Sequence, residues 1–401
     1  MLSLKEMLSF EGTLAQATRW VMLKALCPTV YRLSALAPLN PRKVIFFDQY
    51  YETMPDSFTL LYEQLEADDS IEVSFYSLGQ GSVSPLELLV RNIAFSHRCA
   101  TASAVFLRHG SSLLSGLPMR RETQLIQVWH GCGAFKRFGS SLLDVMDEAA
   151  RRDRKRFPIF GNTTLVPISS EEVRWAYAEA MDIQDPQSVV LALGVSRTDR
   201  FYDEAFLESA RERVAQAVPG IGERKILLYA PTFRGEPDRP VPPRELDVEA
   251  LCKCLSGDYA LLIKHHPFIK ERPAIPEGCR DFAFDVSDDL VIDELMCAAD
   301  ICVTDYSSLI YEYSLLLKPI AFFAYDLDEY LDQRGLYYPY DELTPGPVCK
   351  STAELVDYVL HVDERFDANA VQAFRDRFMA SCDGHATERT IRFMKDHLPH
   401  A

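Results

Sequence analysis

No stretch of the 401-residue chain reaches the roughly 18 uninterrupted apolar positions that a membrane-spanning helix needs. A secretory signal is missing as well, because Met1 to Phe10 carries Lys5 and Glu6 and has no apolar core. Positive charge is scarce: 42 Lys and Arg stand against 59 Asp and Glu, a formal net charge of −17. That balance argues against nucleic-acid binding over the whole surface, while leaving room for a locally basic site that takes an anionic substrate. There is no disulfide framework. The 10 cysteines are scattered and sit mostly in apolar surroundings, such as Met296-Cys297-Ala298 and Ile301-Cys302-Val303, which is how buried free thiols look. Cys252 and Cys254 have C-x-C spacing, but no second pair or nearby His completes a zinc site, so no metal centre is expected. Internal repeats and low-complexity tracts are absent.

What is present is an ordinary globular composition, 48% hydrophobic and 25% charged, at a length that suits two domains or three. Short apolar runs of the buried-strand kind recur at 43–47, 72–78, 104–107, 123–129, 164–168 and 188–193, with a helix expected over Asp56 to Glu66. The pattern then restarts at 224–229, 261–264, 300–304 and 319–323, with helices over Asp247 to Leu255 and Ile292 to Ala299. This alternation predicts an α/β chain with two successive Rossmann-like units and a boundary near 194–202. Residues 237–246, rich in Pro and charge, read as a loop. The first forty residues interleave Arg19, Trp20, Lys24 and Arg32 with apolar positions at helical spacing. Two readings follow: a helix lying on a membrane surface, or a helix packed on its own domain.

In such sheets ligands bind beyond the carboxyl ends of the strands, and the polar residues of this chain fall there. After 123–129 come His130, Gly131, Cys132, Gly133, Lys136 and Arg137. A strand-end His suits general base catalysis, glycines admit close backbone approach, and Lys-Arg suits phosphate. Tyr229-Ala230-Pro231-Thr232-Phe233-Arg234 ends another strand in two phosphate partners. In Lys264-His265-His266-Pro267 the adjacent histidines point to opposite sides of an extended segment, so one can face a cleft. Thr304-Asp305-Tyr306-Ser307-Ser308 delivers hydroxyls to a helix start, with Glu312 close behind and able to reach a ribose hydroxyl. Arg334-Gly335, in an acidic and aromatic loop, reads as an anion clamp. Each also has a plain structural reading, as a turn, a cap or a solvated charge.

Taken together, Trp129-His130-Gly131 with Lys136, Ala230-Pro231-Thr232-Phe233-Arg234, His266-Pro267, Thr304-Asp305-Tyr306-Ser307-Ser308 and Tyr325-Asp326 with Arg334-Gly335 resemble the teichoic-acid CDP-glycerol glycerophosphotransferase family. The order and spacing match over about 43–360. Gly194-Val195-Ser196-Arg197-Thr198-Asp199 resembles that family's Gly-x-Pro-Arg-x-Asp segment, with Ser196 in place of Pro. Gly131-Cys132-Gly133-Ala134 stands where polymerase members often read Gly-Thr-Pro-Leu.

The resemblance implies a GT-B-like fold, two Rossmann-like domains facing a cleft. It divides the chain into an amphipathic segment (1–40), an acceptor domain (41–198), a CDP-donor domain (199–375) and a C-terminal helix (376–401). It implies transfer of glycerol phosphate from CDP-glycerol to a hydroxyl of a lipid-linked cell-wall or capsular polymer precursor, with release of CMP. The rivals are CDP-ribitol as donor and a nucleotide-sugar glycosyltransferase of the same shape. A non-catalytic binding protein and a metal-dependent nucleotide hydrolase are more distant ones. By this analogy His130 is the general base and His266 stabilises charge on the donor phosphate. Thr232, Arg234, Thr304, Ser307, Ser308, Arg334 and Gly335 hold donor phosphates, Glu312 the ribose, and Gly131 and Lys136 lie on the acceptor side. No cofactor is fixed, and Mg²⁺ dependence stays open. The expected place is the cytoplasmic face of the membrane, held peripherally, with the basic run 151–156 as a contact for anionic lipid.

Overall fold

The computed structural model describes residues 16–235, 239–333 and 335–399. Expectations that concern residues 1–15 and Arg334 lie outside the described residues. The strands form two parallel sheets, one in each lobe. In the N-terminal lobe β1 (Asn40–Asp48), β2 (Glu72–Ser77), β3 (Ala102–Leu107) and β4 (Gln124–Gln127) lie in the order β2-β1-β3-β4. β5 (Val166–Pro167) follows β4 through the Ile126–Leu165 bridge and pairs with β6 (Val190–Leu191). In the C-terminal lobe β7 (Lys225–Tyr229), β8 (Tyr259–Ile263), β9 (Ala283–Asp285), β10 (Ile301–Thr304), β11 (Ile320–Phe323) and β12 (Val348–Cys349) take the order β12-β11-β10-β7-β8-β9. Strand order therefore reverses between β7 and β10, the doubly wound arrangement whose crevice takes ligands at the reversal. This is the GT-B-like α/β architecture.

Burial on both faces explains why the apolar runs are continuous. Along β1, Val44 and Phe46 enter one core with Phe58 and Leu61, while Ile45 and Phe47 enter another with Phe95 and Cys99. β9 and β12 have no counterpart in the sequence reading, because strands of 3 and 2 residues are too short to show a period. Residues 239–246 carry one isolated bridge, Val241 to Arg234.

The helix Cys27–Ser34 and the π-helical turn Met22–Leu26 before it bury Leu23, Cys27 and Tyr31 on the N-terminal lobe. Leu26 and Leu33 of these turns, and Trp20 and Val21 just before them, are exposed. The segment thus packs on its own domain and keeps a second apolar face outward. Among the described residues no helix is long and apolar enough to cross a membrane. The basic helix Glu148–Arg156 buries none of its residues.

The chain crosses between lobes twice. The helix Ala368–Phe378 runs through residue 375 and packs Phe374 and Phe378 on Tyr311 of the C-terminal lobe. The last helix, Ala386–Asp396, returns to the N-terminal lobe, where Ile391 and Met394 join the core of Val44 and Phe46. Its start is fixed by Asp199, whose carboxylate accepts the Ala386 and Thr387 N–H groups at 3.0 and 2.7 Å. Two residues earlier in the same segment, Arg197 joins the lobes. Its Nη1 lies 3.0 Å from Asp56 Oδ2, at the start of the helix Asp56–Glu66. Its Nη2 donates to Glu312 Oε1 in the helix Leu309–Ser314. Arg200 Nη1 meets Asp293 Oδ2 at 2.8 Å alongside. Burial acts to raise the Asp56 carboxyl, yet Arg197 and Arg108 outweigh it and hold the group below its ordinary value.

Removing Arg197 leaves Glu312 buried without its cation, a loss that costs about 3 kcal/mol. Arg197→Ala should lower the urea midpoint accordingly. Arg197→Lys should recover only part of it, because an ammonium cannot span two carboxylates as a guanidinium fork does. Equal stability of Arg197→Ala and the parent chain would contradict this role.

Candidate active site

The site forms where the carboxyl ends of β4, β7, β8 and β10 converge. β4 delivers a tight turn in which Trp129 takes a left-handed backbone, φ 58°, unusual for so bulky a residue. The buried Gln127 amide supports it. Its Oε1 accepts the Trp129 N–H at 3.0 Å and its Nε2 donates to the His109 carbonyl at 3.2 Å. His130 is then held between two rings, Trp129 at 4.1 Å and His109 at 4.8 Å between centroids. Its Nδ1 lies 3.4 Å from the Arg108 carbonyl. A carbonyl only accepts, so that contact puts the ring proton on Nδ1 and leaves Nε2 as the basic nitrogen.

The ring has an exposed edge towards the cleft, but the protein crowds the rest. Loss of surrounding water lowers its pKa below the ordinary histidine value, and His109, Arg108 and Arg197 push the same way. Hydrogen bonding to the Arg108 carbonyl opposes them without reversing the sign. His109 is itself held down to about 4 by burial and by Arg108, whose Nε donates to its Nε2 at 3.1 Å.

Beyond His130 the loop crosses to the C-terminal lobe. Gly133 has φ 59°, and a Cβ there would lie 2.3 Å from the Tyr311 ring, so only glycine fits. Lys136 bridges Leu336, and the Arg137 N–H donates to the Gly335 carbonyl at 3.0 Å. Gly335 therefore ties the two lobes together along one side of the site.

On the opposite wall His266 follows β8. Its Nδ1 accepts the Phe268 N–H at 3.2 Å, which places the proton of the neutral ring on Nε2. Phe233 and Phe268 pack against it at 4.8 and 4.7 Å. His265 is buried, its backbone N–H donating to Ser287 Oγ at 2.9 Å, and it lines the larger of two adjoining cavities together with His266.

A cavity of about 260 Å³ brings together His130, Gly131, Lys136, Thr232, His266, Ser307 and Ser308. A second, of about 470 Å³, shares Thr232, His266, Ser307 and Ser308 with it and continues to Pro267, Ile292 and Glu312. The two are one connected space at the β7/β10 reversal. Glu312 lines the larger part with one oxygen engaged by Arg197. Its Oε2 is buried with no hydrogen-bond partner among the described residues.

Three described sequence candidates, Gly335, Arg234 and Thr304, do not line this space, and Gly335 serves the seam between the lobes instead. Arg234 is locked between carboxylates, with Nη1 2.9 Å from Asp305 Oδ2 and Nε 2.5 Å from Asp326 Oδ2. Thr304 is fully buried, its hydroxyl donating to the Ala230 carbonyl at 2.7 Å. Both shape the wall from behind: Asp305 Oδ1 accepts the Thr232 N–H at 2.8 Å and so sets the turn that carries Thr232. Ser307 accepts the Leu309 N–H at 3.3 Å, and Ser308 occupies the cap position without a side-chain bond. Arg108, His109 and Gln127 were missed in the sequence reading, although Arg108 and His109 stand at the end of the buried strand β3, the position that singled out the others. Among the described residues no group of three or more His, Cys, Asp or Glu is arranged to hold a metal ion.

Comparison with known proteins bears on this geometry. The family model described as CDP-Glycerol:Poly(glycerophosphate) glycerophosphotransferase matches residues 29–395. The chain is 32% identical over 382 residues to a teichoic acid ribitol-phosphate primase of Bacillus spizizenii, covering 94% of this chain and 97% of the relative. It is also 32% identical over 366 residues to a teichoic acid poly(ribitol-phosphate) polymerase of the same organism, covering 90% of this chain but only 57% of that longer relative. A teichoic acid glycerol-phosphate primase of Bacillus subtilis is 33% identical over 285 residues, 71% of each chain. In fold the chain is similar to the solved wall teichoic acid polymerase TagF, with TM-score 0.73 at 22% identity over 98% of each chain. The chain is thus an enzyme of the CDP-glycerol:poly(glycerophosphate) glycerophosphotransferase family.

Proposed function

We propose that this enzyme transfers a polyol phosphate, glycerol phosphate from CDP-glycerol in the first instance, to a hydroxyl of a lipid-linked polymer precursor. The observation that supports the proposal is the pair of histidines in one cavity whose Nδ1 atoms meet opposite backbone groups, a carbonyl at His130 and an N–H at His266. His130 Nε2 takes the proton as the acceptor oxygen attacks the β-phosphorus. The bond from that phosphorus to the bridging oxygen breaks and CMP leaves. His266 Nε2–H donates to a phosphate oxygen as negative charge builds on it. Ser307, Ser308 and Thr232 add hydroxyl donors, and Lys136 supplies positive charge on the acceptor side. In this account Arg234 and Thr304 act on the donor only by fixing the turns that carry Thr232 and Ser307. Glu312 faces the ribose through its remaining oxygen. Catalysis here consists of orienting two substrates and stabilising developing charge.

CDP-ribitol is the second reading, supported by the ribitol-phosphate primase that matches nearly the full length of this chain. The exposed apolar side of the N-terminal helix and the basic run 151–156 support peripheral attachment to a membrane that holds the acceptor.

The test is CMP release from CDP-glycerol and CDP-ribitol, side by side, with a lipid-linked glycerol-phosphate acceptor. Acceptor-dependent release from one donor names the polyol, and silence with both contradicts the proposal. His130→Ala should lower turnover by about 10²-fold or more while leaving the unfolding midpoint near that of the parent. The pH dependence has a definite sign. Because the His130 pKa is lowered, the ring stays neutral and basic as pH falls through the ordinary value of about 6.5. The acid limb of kcat/KM should therefore lie below that value, and a limb above it would contradict His130 as the base.

A further inference from the structure

The N-terminal lobe carries a groove of about 910 Å³ that lies outside the connected cavity of the active site. It opens at the carboxyl ends of β1 and β3, where the order β2-β1-β3-β4 reverses. That is the crevice in which open α/β sheets take ligands. Gln49 and Tyr50 enter it after β1, and Gly110 and Ser112 after β3. Met22 and Leu23 of the N-terminal helical segment form one wall, and Leu88 and Leu89 of the helix Pro85–Cys99 another. Phe157 and Ile159 complete it.

Three observations identify an occupant. The apolar part of the wall, Met22, Leu23, Leu88, Leu89, Leu113 and Phe157, suits a hydrocarbon chain, while the Arg19–Asp153 ion pair lines the groove beside Arg154. Arg154 lines the groove with its Nη1 buried and without a hydrogen-bond partner among the described residues, an arrangement that calls for an anion. The helices that wall the groove also expose Trp20, Val21, Leu26, Leu33, Leu86 and Val90 outward, so its surroundings are themselves suited to lipid. The groove also lies near the chemistry. The Tyr50 ring packs edge-on against His109 at 5.4 Å, and His109 lies 4.8 Å from His130. Two ring contacts separate the groove from the proposed base.

We propose that this groove binds the apolar chain of a phosphate-bearing lipid acceptor, with Arg154 as the cation for that phosphate, and so directs the acceptor's polar end past Tyr50 and His109 to His130. The proposal rests on the transfer reaction proposed above and assigns a place to its lipid.

The test compares kcat/KM for an acceptor on a long isoprenoid-type chain with that for the same headgroup on a short water-soluble chain, both in the full-length chain. The parent should prefer the long chain, and Leu89→Arg should reduce that preference about tenfold or more. Arg154→Gln should lower kcat/KM for both acceptors, because both carry the phosphate, and leave the chain preference in place. Turnover of the short-chain acceptor by the parent reports the transfer reaction itself, so a silent parent counts against the function. An active parent whose chain preference survives Leu89→Arg overturns the groove. If Leu89→Arg does not fold, a long-chain acceptor with a photoreactive tail is cross-linked to the parent. Labelling within 85–92 or 157–159 supports the groove. Labelling of residues 1–15 or of the C-terminal lobe overturns it.

Discussion

The guanidinium of Arg197 is the contact on which the cleft depends. It meets Asp56 of one lobe and Glu312 of the other, and the segment that carries it also caps the last helix through Asp199. Two lobes joined only by chain crossings would be free to rock, as domains with modest interfaces do. Here Arg197 ties the helix Asp56–Glu66 to the helix that follows Ser308, through an ion pair that is buried at Glu312 and exposed at Asp56. A second seam, from Lys136 to Leu336 and from Arg137 to Gly335, closes the far side. Between the two seams the walls carrying His130 and His266 stand opposite each other. Partly buried charges of this kind add little net stability, but a missing partner is costly, so they specify one arrangement of the lobes.

Within that frame the chemistry follows from which nitrogen of each ring is already engaged. A backbone carbonyl accepts a hydrogen bond from Nδ1–H of His130, and a backbone N–H donates to Nδ1 of His266. Two copies of one side chain are thereby prepared for opposite tasks, one to accept a proton and one to donate a hydrogen bond. The crowding of His130 by Trp129, His109 and Arg108 keeps it neutral at the pH where it must act as a base. The strained backbone of Trp129 and the Gly133 contact with Tyr311 are local costs of aiming that loop into the cleft.

Much of this was legible in the residue pattern. Continuous apolar runs announced parallel strands, and polar residues just past them marked His130, Thr232, His266, Ser307 and Ser308 as neighbours. The pattern was less informative about engagement. Arg234 has the look of a phosphate ligand, yet Asp305 and Asp326, 71 and 92 positions away, take its donors. Thr304 belongs to the same motif as Ser307, but strand alternation turns it inward. Arg197 reads as one member of a motif, and its role as a bridge depends on partners 141 and 115 residues distant. Short strands such as β12 and the return of the last helix to the first lobe depend on tertiary packing, which local periodicity does not encode.

The claim on which the account turns is the opposite protonation of the two cleft histidines, and nitrogen NMR of ring-labelled histidine near neutral pH reads it directly. With His130→Ala and His266→Ala variants to assign the signals, the account predicts that His130 carries its proton on Nδ1 and His266 on Nε2, both rings neutral. The same tautomer at both positions, or a doubly protonated His130, would contradict it.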